Sequence, residues 1–240
     1  RRLAHPGGGR HRAAGQRLAA VRWLLALAVA CPAAAWASHP LITEDTGVLG
    51  AGAWQLEAHG ERVRGTGERE LALALAYGLA ETADLQLEQP WAGNGRTERG
   101  DAVLSLKWRF FERQALGMVL KPELDEQGRW GASLVAGYSF SRMELLGHAG
   151  YLRNRASPGE RESLRHASIA ALYEAAGQLK LALDMSRDTN PDPASRSSVR
   201  EAVLGLIYAP NDDVDIGLGL KRTLSEPRSR ALLAGIKYRW

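Results

Sequence analysis

Apolar residues in this chain recur at every second position. Leu71, Leu73, Leu75 and Tyr77 share one parity, with Ala72, Ala74 and Ala76 between them. Ala102, Leu104, Leu106, Trp108 and Phe110 alternate with Asp101, Val103, Ser105, Lys107 and Arg109. The rhythm returns at Leu179–Met185, at Ile216–Leu220 and at Leu232–Trp240. A helix would scatter these residues around its circumference, whereas a strand sends alternate side chains to opposite faces. After Ser38 no apolar segment approaches the roughly 20 residues that a helix needs to cross hydrocarbon. A helical membrane protein is therefore excluded.

Marking the turns divides the chain into twelve segments at about 52–63, 68–78, 82–91, 99–111, 114–125, 129–140, 142–153, 162–174, 178–188, 198–209, 213–224 and 229–240. Each is long enough for a tilted strand to span a bilayer, and an even count suits a closed bacterial barrel. Connections after even segments are short (79–81, 112–113, 141, 175–177, 210–212), while several after odd ones are longer and polar (92–98, 154–161, 189–197). The prediction is all-β: a transmembrane antiparallel up-and-down β-barrel of about 12 strands, with short periplasmic turns and longer outer loops. Tyr77, Phe110, Tyr138, Phe140, Tyr173, Tyr208, Tyr238 and Trp240 fall beside the short-turn end, as an interfacial girdle requires. A soluble β-sandwich also alternates. Here, however, one parity is apolar while the other is rich in charge, small residues and glycine, strand after strand, which favours the barrel. In lipid an open edge would strand unpaired backbone groups, so the last strand must pair with the first.

Trp23–Ala37 is an apolar run preceded by arginines and ending in Ala35-Trp36-Ala37, the pattern of a secretory signal cleaved after Ala37. Lipid attachment at Cys31 is the competing reading. Residues 1 to 17 lack an initiating Met and read as an over-extended start. The expected organisation is a leader and signal peptide over 1–37, a periplasmic or lumenal segment over 38–51 and the barrel over 52–240.

The net charge of +4 first suggests a nucleic-acid or membrane-surface binder. Residues 1–37 hold six arginines and no acid, which leaves 25 bases against 27 acids from Ser38 onward, a net of −2. A nucleic-acid partner thus loses its main support. Cys31 is the one cysteine, so neither an intramolecular disulfide nor a cysteine metal cluster is available. Asp188, Asp192, Asp212 and Asp213 show no recognisable cation-loop spacing, and Gly7-Gly8-Gly9 precedes no strand–helix unit. No metal and no cofactor is expected.

With the apolar parity toward lipid, the inward acids are Asp84, Glu88, Asp101, Glu123, Asp125, Glu144, Asp184, Glu201 and Asp215. The inward bases are Lys107, Arg109, Lys121, Lys180, Lys221, Lys237 and Arg239, joined by His148 and His166. Such a wall either lines a pore for polar solutes or fills the interior with ion pairs. Barrel width does not decide, because about eight strands are filled by side chains and about sixteen leave a channel. Glu44, Asp45 and Thr46, ahead of the first strand, form a candidate plug. A hydrolase is the third reading: His148 and Glu144 on one strand face His166 and Ser168 on the next, as nucleophilic catalysis would require.

His39-Pro40-Leu41-Ile42-Thr43-Glu44-Asp45-Thr46-Gly47, followed by Trp54-Gln55-Leu56-Glu57, resembles the start of a family of outer-membrane transporters labelled as belonging to the meta-pathway of phenol degradation. Tyr77-Gly78-Leu79 and Lys107-Trp108-Arg109-Phe110 resemble further pieces of that pattern. The similarity is concentrated in 39–57 and carries on to 240 in rhythm more than in letters. The Ala-rich second strand and Glu88-Gln89-Pro90-Trp91 depart from it. The resemblance implies a porin-like barrel of the bacterial outer membrane that passes small solutes, aromatic ones among them. The terminal strand ending on Trp240 resembles the signal read by the barrel-assembly machinery. Expected partners are therefore outer-membrane lipid, that machinery and a small solute, with passive diffusion as the mechanism. A closed structural barrel is the alternative.

Overall fold

The computed structural model describes residues 40–155 and 159–240. The signal-peptide reading, Cys31, Gly7-Gly8-Gly9, Ser38 and His39 lie outside the described residues. Among those described, every regular element is a strand. The strands are β1 (Trp54–Val63), β2 (Glu68–Ala80), β3 (Ala83–Asn94), β4 (Glu98–Arg99), β5 (Val103–Arg113), β6 (Leu116–Asp125), β7 (Trp130–Phe140), β8 (Met143–Arg153), β9 (Ser163–Ala176), β10 (Leu179–Asp188), β11 (Val199–Asn211), β12 (Val214–Thr223) and β13 (Arg230–Arg239). All but the two-residue β4 form a closed, antiparallel, 12-strand barrel in sequence order. β1 pairs with β13 from Gln55↔Arg239 to Val63↔Ala231, which closes the wall. Trp54 and Trp240 fasten this seam, exchanging backbone hydrogen bonds of 2.9 and 3.1 Å and stacking at 6.4 Å.

The connections at one end are two-residue turns (81–82, 114–115, 141–142, 177–178, 212–213), and those at the other run longer, to 154–162 and 189–198. Several boundaries differ from expectation: β5 runs to Arg113, β9 to Ala176 and β11 to Asn211, so the short turns after them fall at 114–115, 177–178 and 212–213. β2 runs on to Ala80, which moves the first short turn to 81–82. The expected fourth strand from 99 starts only at Val103, because Pro90 on β3 lacks an N–H and cannot extend the β3–β5 ladder beyond Glu88↔Val103. Gly100 N–H instead donates to Pro90 O at 2.9 Å, and Glu98–Arg99 folds back on β3 as β4.

The distribution of side chains is inverted relative to a soluble protein. Ile169 is 66% exposed and Leu232 61%, while Asp184 is fully buried. A soluble monomer seldom exposes an apolar patch beyond about 300–600 Å². An apolar band around a barrel with no free edge is stable only where lipid covers it.

Candidate functional site

The barrel interior holds the residues ahead of β1. In wall order β3 and β10 stand six strands apart in a ring of twelve, so they face each other across the axis. Residues 40–51 reach from one to the other as a strap. On the β10 side, the backbone N–H groups of Ile42 and Thr43 both donate to Asp184 Oδ2 at 2.7 Å, and Thr43 Oγ1 lies 2.9 Å from Asp184 Oδ1. On the β3 side, Leu49 N–H is shared between the two carboxylate oxygens of Asp84 at 3.0 Å. A buried carboxylate accepting backbone N–H groups is satisfied without a cation, which explains how Asp184 tolerates complete burial.

Two cross-strand glycine pairs make room for the strap. Gly205 and Gly219 are direct partners on β11 and β12, and a Cβ on either would lie 2.7 Å from the Pro40 ring. Gly117 and Gly137 are direct partners on β6 and β7, and a Cβ there would meet Thr46 Oγ1 at 3.0 and 2.9 Å. Any side chain at these four positions would push the strap inward.

Charge fixes the middle. The register that sets Ser105 against Glu123 and Trp108 against Leu120 puts Lys107 of β5 opposite Lys121 of β6. Like charges facing each other across a sheet repel. The strap supplies counter-ions: Asp45 binds Lys107, and Glu44 binds Lys121 while lying 3.7 Å from Lys107. Burial alone would raise the Glu44 carboxyl, but Lys121 and Lys107 outweigh it and hold the group well below the usual carboxylate range.

Two cavities flank the strap. The smaller, about 170 Å³, lies among Glu57, His59, Asp84, Glu88 and Lys237. The larger, about 450 Å³, is lined by Lys121, Glu123, His148, Tyr151, His166 and Asp188. His148 is buried at both ring nitrogens without a hydrogen-bond partner among the described residues, and its ring centroid lies 4.6 Å from that of His166.

Most of the sequence-predicted inward residues share this interior, though not one cluster. Asp84, Lys107, Lys121, Asp184, Glu44, Asp45 and Thr46 meet at the strap. Glu201 lies 3.6 Å from Lys221, which binds Glu61; Asp215 binds Arg239; Lys237 lies 3.5 Å from Glu57. Arg109 pairs with Glu112 near the short-turn end, and Glu144 and Lys180 sit on the inner faces of β8 and β10. Asp101 precedes β5 and joins Asp125 on Arg129 at the long-loop end, so these two brace a loop.

Of the four residues in the hydrolase reading, the structure brings His148, His166 and Ser168 together, and among the described residues no contact joins Glu144 to them. His166 finds its acid in Asp188, at 2.6 Å, and reaches Ser168 on its own strand at 3.0 Å. Ser168 is 5% exposed, and Thr43 lies 2.8 Å from its hydroxyl, so the strap covers it. Among the described residues no group of three or more His, Cys, Asp or Glu side chains has metal-holding geometry.

Sequence reasoning missed Glu57, His59 and Glu61, although their parity with Gln55 on β1 puts them inward. It also missed Pro40, Thr43 and the glycine pairs. Nothing in a period-two pattern marks which inward glycine receives a second segment.

No family model and no curated protein matches the chain in sequence. Solved structures do resemble it. The NanC porin superposes with a TM-score of 0.61 at 10% identity, covering 76% of this chain and 98% of that one. The KdgM porin gives 0.60 at 9%, covering 77% and 98%. An outer membrane channel from Pseudomonas putida F1 gives 0.60 at 16%, covering 82% and 98%. These likenesses are to the fold. Together with the lipid-facing belt and the closed, even-numbered wall, they define the chain as a bacterial outer-membrane β-barrel of porin architecture.

Proposed function

We propose that the barrel is a passive diffusion channel for small solutes, with residues 40–51 as a plug that narrows its lumen. The supporting observation is the interior itself. Ionic and hydroxyl side chains face the axis around two cavities, and the strap between them is held by hydrogen bonds, ion pairs and packing, all of which can exchange with water. The lumenal side chains Lys121, Glu123, His148 and His166 line the larger cavity and are the residues a solute would pass, joined by Lys107 and Asp184 once the strap is released. Mixed signs give weak ion selectivity. Aromatic solutes enter the proposal through the resemblance of residues 39–57 to the transporter family, and Trp240 is kept as the residue read by the assembly machinery.

A second reading, a closed structural barrel, is favoured by one observation: the strap is anchored on opposite walls by Asp84 and Asp184. Planar-bilayer recording separates the two. A channel shows small currents in the full chain and larger ones when Asp184→Ala loosens the strap. Absence of current in both proteins at every voltage would leave the structural barrel.

A further inference from the structure

The two rims of the barrel carry different outward side chains. At the short-turn rim these are aromatic: Phe110, Tyr138, Phe140, Tyr173, Tyr208 and Tyr238 are 42–51% exposed. At the long-loop rim, over one half of the circumference, they are arginine. Arg62 and Arg69 are direct cross-strand partners on β1 and β2, Arg187 and Arg200 on β10 and β11, and Arg222 and Arg230 on β12 and β13. All six are exposed and share the parity of the lipid-facing leucines of their strands. Arg165 on β9 continues the series, so seven consecutive wall strands each present one arginine just beyond the apolar belt. On β8, Arg153 shares this parity as the partner of Trp130, but Glu162 pairs with it at 2.9 Å; beyond it the rim includes exposed Leu124 and Trp130, with Trp130 against Tyr151 at 6.0 Å.

Like charges in directly opposed positions destabilise a sheet unless an anion lies between them. Here the protein supplies none. Arginine ion pairs among the described residues involve Arg99, Arg109, Arg129, Arg153, Arg228 and Arg239, and none of the seven arc residues. Arg187 Nε donates to Ser198 Oγ at 3.1 Å, which adds no negative charge. Opposed side chains start roughly 5 Å apart at Cβ, so two guanidinium forks can close on one tetrahedral anion. Arginine, present at all seven positions without a lysine, is the side chain whose planar fork binds phosphate through two hydrogen bonds.

We infer that this arc is a binding surface for the phosphate groups of lipid A, the phosphorylated glycolipid of the bacterial outer leaflet. The position selects that source of phosphate. The arginines stand on the lipid-facing parity at the end of the belt that carries the long outer loops, where headgroups of the outer leaflet lie. The arc covers β9 to β13 with β1 and β2, so lipid is held on one side of the barrel and the aromatic half of the rim is left to ordinary interfacial contact.

The test uses the purified full chain in nonionic detergent at about 0.15 M salt. It is titrated with bisphosphorylated lipid A, with the same lipid dephosphorylated, and with inorganic phosphate, and bound ligand is read by native mass spectrometry. Bisphosphorylated lipid A is expected to bind at least tenfold more tightly than the dephosphorylated form. R187A/R200A is expected to lose about fivefold for each arginine removed, and R187K/R200K to recover part of that loss. Equal binding of the two lipids overturns the inference, as does inorganic phosphate binding as tightly as lipid A. Should the alanine variant fail to fold, these wild-type comparisons decide alone.

Discussion

Leu183 and Asp184 are neighbours on β10 and live in opposite surroundings. Leu183 is 53% exposed on the lipid face, and Asp184 is fully buried at the strap. The first is one of many: Leu181 and Met185 beside it, and Leu204 across the pair, make the same kind of contact. The second is singular, because two backbone donors and a hydroxyl converge on it. The outer face of this barrel is thus a repeated average over a fluid solvent, while the inner face is a set of individual fits.

The sharpest way to break that contrast is to place charge on the averaged face. Leu183→Arg, near the middle of its strand, is expected to destabilise the barrel by about 2–4 kcal/mol, the cost of a cation near the bilayer midplane. Urea unfolding in vesicles, followed by tryptophan fluorescence, measures it. An effect below about 1 kcal/mol would mean that lipid does not cover this face.

On the singular face the effect comes from lost partners. Asp184→Ala leaves the N–H groups of Ile42 and Thr43 without their acceptor, at a cost of about 2–3 kcal/mol where water does not replace it. Asp184→Asn keeps an acceptor oxygen and is expected to cost about half as much. Strap release, read as increased bilayer conductance, should follow the same order. Equal conductance in wild type and both variants would detach Asp184 from any role in the plug.

The same division decides what the sequence could reveal. Leu71, Leu73 and Leu75 announce a lipid face because each repeats its neighbour, and the strand count, closure and end asymmetry follow from that repetition. Glu57 and His59 were within reach of the same parity argument, extended one strand earlier. The strap contacts were not. Thr43 meets Ser168 and Asp184 across 125 and 141 residues of chain, and Pro40 finds Gly205 and Gly219 only once β11 and β12 lie side by side. Glu44, Asp45 and Thr46 stood out as a polar run before β1, but their partners Lys107 and Lys121 looked like any other inward charges. Register between distant segments is set by closure of the whole wall, which no local pattern contains.

A smaller substitution sharpens the comparison through glycine. Gly205 faces inward, and its added Cβ would meet the Pro40 ring at 2.7 Å, whereas Gly147 on β8 has nothing within 4 Å. Gly205→Ala is expected to cost about 1–2 kcal/mol by overpacking against the strap, and Gly147→Ala to be nearly neutral. Thermal unfolding of the two variants in detergent compares them directly. Equal midpoints would show that the strap does not press on β11.

The smallest effect concerns the charged middle of the strap, and its sign follows from Glu44. Its folded-state carboxyl lies below the ordinary value of 4.5, because Lys121 and Lys107 overcome the effect of burial. A depressed carboxylate contributes stability that is present above its unfolded value and is lost as pH falls through the folded one. The Glu44 contacts with Lys121 and Lys107 are therefore expected to stay in place from neutral pH down past 4.5 and to loosen only in stronger acid. Glu44→Gln removes the proton-linked step, so its conductance should already be slightly raised at neutral pH and respond less to acid. A wild-type rise centred at or above the ordinary carboxylate value would place the controlling group elsewhere. The Asp184 anchor, which uses backbone donors and no lysine, should meanwhile hold its end of the strap in high salt, while the Glu44 contacts weaken as added ions screen them.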